Sequence, residues 1–444
     1  MKRPLLYVIA ATVFFSVSIG IGLAQFDFLI DFLNLREEDP VFFQSFSIIK
    51  LEEAWNVINS TDLTTTSVKI GIIDSGLDAS NGAHPEFDGI SLGNTPVDAR
   101  TDSASGGHGT QISGIIGANN ISSTSSGNYD LPQMNGILSG VKDLDYTLEV
   151  RKPRFFGAFF SVDAWSVSKE INKLAKENVD IINISNGTLF LGGDFFFRPA
   201  FTRLSNTLFV VSAGNFNFDF LGIGPGTNVE NQTPARLGDE FNNVITAGSV
   251  DSGGNNRAIF SNFGDAIALA APGELVYTSA PRGEGNAPIV DPDAINYQFD
   301  FSGTSASAPM VTGVAGIIKA IKPNLAPAQI KQILIQTADI ISTDQPIGPR
   351  LNAFKAVCHP LVLNCEEVLP GAPHWPMIKH DAQNSGLSPV VNIILVYNKI
   401  NAADRENRTP TLSDICTCGW GIVFSSLYNP KSAHIRAGQI WRGS

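Results

Sequence analysis

The feature that most constrains the fold is an alternation of short apolar runs with helix-patterned segments between Asp39 and Val357. VKIGIID (68–74), DIINIS (180–185), TLFVVSAGN (207–215), NVITAGSV (243–250) and AIALAAPG (266–273) are apolar runs of strand length. Such runs suit strands buried on both faces. Between the first two lies AWSVSKEINKLAKENV (164–179). There Val167, Ile171, Leu174 and Ala175 share one helical face and Lys and Glu take the other. Strands separated by helices predict an α/β fold with a mostly parallel sheet and right-handed crossovers. In such sheets functional groups gather beyond the carboxyl ends of strands. Asp74 and Asn215 both stand at such ends.

At 444 residues the chain exceeds one ordinary domain, so a large domain plus smaller segments is expected. With 43% hydrophobic and 16% charged residues it can bury a sizeable core. The formal net charge of −12 argues against a nucleic-acid partner, which would require a basic surface.

At the N-terminus, Lys2 and Arg3 precede an apolar run from Leu5 to about Gly22, and Gly22-Leu23-Ala24 follows as small-x-small. This reads as a secretory signal (1–24) cut near Ala24. The run is long enough that an uncleaved membrane anchor is the alternative. Either way the body is expected to be secreted or extracytoplasmic. Export permits disulfides, and Cys358 with Cys365 could close a small loop. Cys416 and Cys418 are too close in sequence for an ordinary structural bridge, and no second CxxC-type pair supports a metal site. Proline-rich residues 358–373 read as a linker, and 391–444 as a poorly ordered tail without a core of its own.

Four short stretches carry chemistry. IGIIDSGLD (70–78) places Asp74 after a strand. GGHGTQISGIIGA (106–118) flanks His108 with glycines at the start of a small-residue helix. VVSAGN (210–215) ends a strand in Asn215, and FSGTSASAPM (301–310) holds Ser302, Ser305 and Ser307. Taken singly, each has a bland reading as a turn acid, a capping histidine, a turn asparagine or a close-packed helix start. Together, the order Asp…His…Ser is one of the chain orders of the serine-protease triad. Gly303-Thr304-Ser305-Ala306-Ser307 lacks the last glycine of G-x-S-x-G, which argues against a nucleophile elbow of the α/β-hydrolase type.

These motifs together resemble the subtilases, the subtilisin-like serine peptidases. DSG at Asp74, HGT at His108, SAGN at Asn215 and GTSASAP at Ser305 match in order, and HPEF (84–87), FSNFG (260–264), LAAPG (269–273) and LNAFKAV (351–357) are similar too. Sedolisin-type relatives also carry a Gly-Thr-Ser serine but use glutamate where this chain has His108. The resemblance implies a three-layer α/β catalytic domain over residues 39–357, after a short pro- or linker segment (25–38). It implies Ser305 as nucleophile, His108 as general base and then acid, and Asp74 as the group orienting the imidazole. Asn215 and the Ser305 N–H would bind the oxyanion. The resemblance also implies a protein or peptide substrate and an endopeptidase activity that needs no cofactor for its chemistry. Calcium at surface loops is common in the family, but the Asp- and Asn-rich loops here fix no ligand set.

The chain departs from the family pattern in places. HGTHV is replaced by a stretch with Gln111, and the substrate-lining Ser-Leu-Gly by Ser185-Asn186-Gly187. A peptide adding as a strand along that edge would meet a more polar surface at Asn186. HWPMIKHDAQNSGLSP, within 374–390, resembles the start of a PQQ-like β-propeller repeat, but one copy cannot close a propeller and implies no quinone. The competing reading of the whole chain is a catalytically silent surface binding protein that keeps the fold.

Overall fold

The computed structural model describes residues 44–79, 84–102, 105–119, 135–156, 161–188, 193–215, 226–282 and 296–365. The expected signal and pro-segment, the propeller-like stretch, the tail, Cys416 and Cys418 lie outside the described residues.

Six strands form the central sheet: β1 (Val68–Ile73), β2 (Tyr146–Arg151), β5 (Ile181–Ile184), β7 (Leu208–Ser212), β8 (Val244–Val250) and β9 (Leu269–Pro272). Their order is β2-β1-β5-β7-β8-β9 and every pairing is parallel. Three short strands, β3 (Phe155–Phe156), β4 (Ser161–Val162) and β6 (Gly187–Thr188), form a separate ribbon, and β10 (Val276–Ser279) pairs antiparallel with β11 (Tyr297–Phe301). The apolar runs become strands because both faces of the sheet are covered: β5, β7 and β8 are buried at every position.

Short helix α1 (Gln44–Ile48) leads into α2 (Leu51–Asn59), and α3 (His108–Gly117) and α6 (Thr304–Ile321) carry small-residue sequences. Cores on the two faces differ. One contains Ile70, Ile72, Val210 and Ile245 with Ile112 and Ile115 of α3 and Val311, Val314 and Ile318 of α6. The other packs Ile73, Ile182, Ile184, Phe209 and Val211 against Val167, Ile171 and Leu174 of α4 (Ala164–Lys176) and Phe197 and Phe201 of α5 (Asp194–Arg203). The expected three-layer α/β architecture is therefore present. Helix α6 is long and apolar enough to cross a membrane, yet 89% of it is buried inside the domain. It is the core helix of the fold.

Helices α7 (Pro327–Thr337) and α8 (Ala353–Val357) complete the described domain. Cys358 and Cys365 form a disulfide, and Val362 and Leu363 between them are buried in the main core. The stretch read as linker from residue 358 thus begins as packed structure through residue 365, because its loop carries two apolar side chains inward.

The strand order reverses beside β1: the chain places β2 on one side of it and β5, β7, β8 and β9 on the other. Beyond the carboxyl ends of β1 and β5 such a sheet opens a crevice. Asp74 directly follows β1, and Ser185 and Asn186 directly follow β5.

Candidate active site

Asp74 is fully buried, and its carboxylate is held at three points. Its Oδ1 accepts from His108 Nδ1 at 2.7 Å and from the Ser75 N–H at 2.8 Å, while Oδ2 accepts from Asn186 Nδ2 at 3.2 Å. A carboxylate only accepts, so Nδ1 of His108 carries the proton, and the basic lone pair of the neutral ring lies on Nε2. Burial alone would lower the affinity of the His108 ring for a second proton. The charge and hydrogen bond of Asp74 outweigh that, with a further contribution from the charge of Asp102, and hold the imidazole above its ordinary value.

The local sequence fixes where His108 sits. It is the first residue of α3, and Gly109 behind it approaches the 75–76 turn so closely that a Cβ there would lie 2.1 Å from Gly76 O. Only glycine permits that approach. Gly109 N donates to Ser75 Oγ, and Thr110 donates through N and Oγ1 to buried Asp102 at 2.8 and 2.7 Å. The ring edge of His108 meets Phe301, at the end of β11, with centroids 5.6 Å apart.

Ser305 is the second residue of α6. Its hydroxyl donates to Ser185 O at 3.1 Å, and its own carbonyl accepts from Ser185 Oγ at 3.2 Å. The second contact depends on Pro309. Pro309, expected in an early helical turn where few N–H groups have intrahelical partners, stands at the sixth helical position, where its absent N–H would have bonded to Ser305 O. That carbonyl is thereby left for Ser185. The reciprocal contact is braced from below: Asn183 Nδ2 donates to Ser185 Oγ at 2.9 Å, and Thr312 Oγ1 of α6 donates to Asn183 Oδ1 at 2.9 Å. Of the other serines in the motif, Ser302 Oγ accepts from Leu275 N and Ser307 Oγ bonds with Ser249 Oγ and Ala271 O. Both side chains are tied to segments well before them in the chain.

Asn215 lies just beyond β7. Its Oδ1 accepts from Thr304 N and Thr304 Oγ1. A backbone N–H can only donate, so the amide is oriented without ambiguity and its Nδ2 is the end left to donate. Nδ2 lies against Gly303, the residue before α6. Thr304, which sequence reading passed over, therefore sets the direction of Asn215.

Of the expected edge Ser185-Asn186-Gly187, only part faces outward. Gly187 pairs in parallel with Ser161, so one side of that edge is already covered by β4. Asn186 does not present a polar surface to a peptide. Its side chain is 3% exposed and turns inward, donating to Ile73 O at 2.8 Å as well as to Asp74. Acceptors at the end of β1 draw it there, since a buried amide needs partners. Gln111 is likewise buried in α3. Among the described residues no group of three or more His, Cys, Asp or Glu side chains could hold a metal ion, so the calcium expectation gains no ligand set.

Asp74, Asn186 and Ser185 follow the strands where the order of a mostly parallel α/β sheet reverses, and they are linked by hydrogen bonds to His108 and Ser305. A family model described as the Subtilase family matches residues 65–362, and this chain belongs to that family. Alkaline elastase YaB of Bacillus sp. (strain YaB) is 28% identical over 299 residues, covering 66% of this chain and 65% of the elastase. Subtilisin DY of Bacillus licheniformis is 27% identical over 276 residues, covering 61% of this chain and 84% of that protein. The chain thus spans just under two thirds of the length of the elastase. Among solved structures, the prenylagaramide maturation protease PagA aligns with a TM-score of 0.51 at 22% identity, over 69% of this chain and 97% of that one, a likeness of fold.

Proposed function

We propose that this chain is an exported serine endopeptidase that cleaves extended peptides through an acyl-enzyme formed on Ser305. The observation that carries the reading is the buried His108–Asp74 pair, 2.7 Å apart, at the same end of the sheet as a helix-N-terminal serine. Ser305 Oγ attacks the carbonyl carbon while His108 Nε2 takes its proton. His108 then gives that proton to the leaving amine, and a water repeats the sequence to release the acyl group. For the first transfer the Ser305 hydroxyl leaves Ser185 O for the imidazole. Catalytic contacts of this kind commonly tighten only when substrate binds. Asp74 keeps the imidazole in its productive tautomer and stabilises the cation. Asn215 Nδ2 and the Ser305 N–H, which has no acceptor among the described residues, supply donors to the oxyanion. The start of an 18-residue helix adds a favourable dipole.

Export rests on the N-terminal charge and apolar pattern and on the Cys358–Cys365 disulfide, a bond favoured outside the cytoplasm. The substrate class is protein or peptide, and the chemistry draws on no cofactor. Incubating purified protein with an unfolded protein substrate tests the reading. New amine termini should appear with the wild type and not with Ser305→Ala. Equal cleavage by both would remove Ser305 from the chemistry. No cleavage by folded wild type would favour a silent binding protein.

A further inference from the structure

We propose that Asn186 is a positioning residue of the peptidase reaction, acting on Asp74 and not on substrate. The inference rests on the triad reading above. Asp74 Oδ1 is fixed by His108 and Ser75, but Oδ2 has a single donor among the described residues, Asn186 Nδ2. The same amide nitrogen donates to Ile73 O, the carbonyl just before Asp74. One side chain therefore ties the carboxylate to its own backbone and limits its rotation. Asn186 adjoins Ser185, which exchanges hydrogen bonds with Ser305, so the tripeptide reaches both ends of the triad.

A second observation separates this role from simple packing. Asn186 Oδ1 is buried and has no hydrogen-bond partner. A buried amide with one end unsatisfied is costly filler. The apolar side chain that family resemblance places here would fill the same space without that cost. What asparagine adds is the Nδ2 donor to Asp74.

A donor on Oδ2 draws negative charge away from the imidazole. Removing it leaves more of that charge to stabilise protonated His108, so the ring becomes harder to deprotonate. The charged groups acting on His108 are Asp74 and Asp102. Phe301, which meets the ring edge, is uncharged, and Asp78 is paired with Arg282.

Asn186→Leu and Asn186→Ala remove the same donor but differ in bulk, which separates the donor from packing. In both, kcat should fall about 10- to 100-fold, as expected for losing a hydrogen bond to a charged group, with KM within about twofold. The acid limb of kcat/KM should move to higher pH in both, and the Nδ1 proton resonance of His108 should shift. Folded variants with an unmoved acid limb and an unmoved resonance would overturn the proposal. So would a rise in KM at unchanged kcat, which would return Asn186 to the substrate edge. If instead the wild type neither cleaves peptides nor reacts at Ser305, the triad reading itself has failed. The Nδ1 resonance in wild type and both variants would still report whether Asn186 acts on the Asp74–His108 pair.

Discussion

Asn215 Oδ1 accepts both the N–H and the hydroxyl of Thr304, at 2.7 and 2.8 Å, so the residue before the nucleophile aims the amide that would bind the oxyanion. Asn215→Leu keeps the volume and removes the donor. It should lower kcat by about 10²–10³ with little change in KM, the range known for removing such an amide in subtilisin. Steady-state kinetics check this, and a change confined to KM would assign Asn215 to ground-state binding.

Gly303 stands between these partners. Its φ of 151° is one that side chains rarely adopt, and a Cβ would lie 2.8 Å from Asn215 Nδ2. Gly303→Ala should therefore cost about 1–3 kcal/mol of stability. It should also lower kcat at least about tenfold by displacing the amide. Urea unfolding and kinetics on the same preparation measure both.

His108 must be neutral to accept the Ser305 proton. Burial opposes protonation of the ring, but Asp74 and then Asp102 reverse that and hold its pKa above 6.5. Activity should accordingly be lost as pH falls through a midpoint above 6.5, and rise to a plateau on the alkaline side. A kcat/KM profile checks the sign, and titration of the imidazole proton signals assigns the group.

Glu86 offers a test away from the reacting atoms. It is 1% exposed, Oε1 accepts from Tyr297 OH at 2.7 Å, and Oε2 has no partner. Burial pushes its carboxyl up to about 8, against a smaller opposing effect of the Tyr297 hydroxyl. A pKa raised by folding favours the protonated native state. The stability it confers is full below the ordinary carboxyl value of 4.5 and is lost as pH rises through about 8. Glu86→Gln should flatten that loss, gaining on the order of 2–4 kcal/mol relative to wild type above pH 8. Denaturation midpoints across pH 5–9 for both proteins measure it.

Much of this was legible in the chain because local pattern carried it. VKIGIID, NVITAGSV and the helix read over 164–179 correspond to β1, β8 and α4 within a few residues. Strand β2 was missed because YTLEVR looks half polar. Its Glu149 and Arg151 are buried as a pair 2.6 Å apart, and pairing hides their charge from periodicity. The four motifs pointed to Asp74, His108, Asn215 and Ser305, since each sits at a strand end or helix start. Partners drawn from elsewhere in the fold left no local mark. Nothing in Ser185-Asn186-Gly187 shows that the amide turns toward Asp74, 112 residues earlier, and nothing in GTSASAP shows that Pro309 frees Ser305 O for Ser185. Both arise only when β5 and α6 meet beside β1.

The most direct measurement is covalent labelling with a fluorophosphonate, which reacts with a serine only when a base and an oxyanion site activate it. Mass spectrometry of the digested wild-type protein should place one adduct on Ser305, none on Ser302 or Ser307, and none after Ser305→Ala. A folded wild-type protein that takes up no label, or takes it up on another serine, would contradict the account.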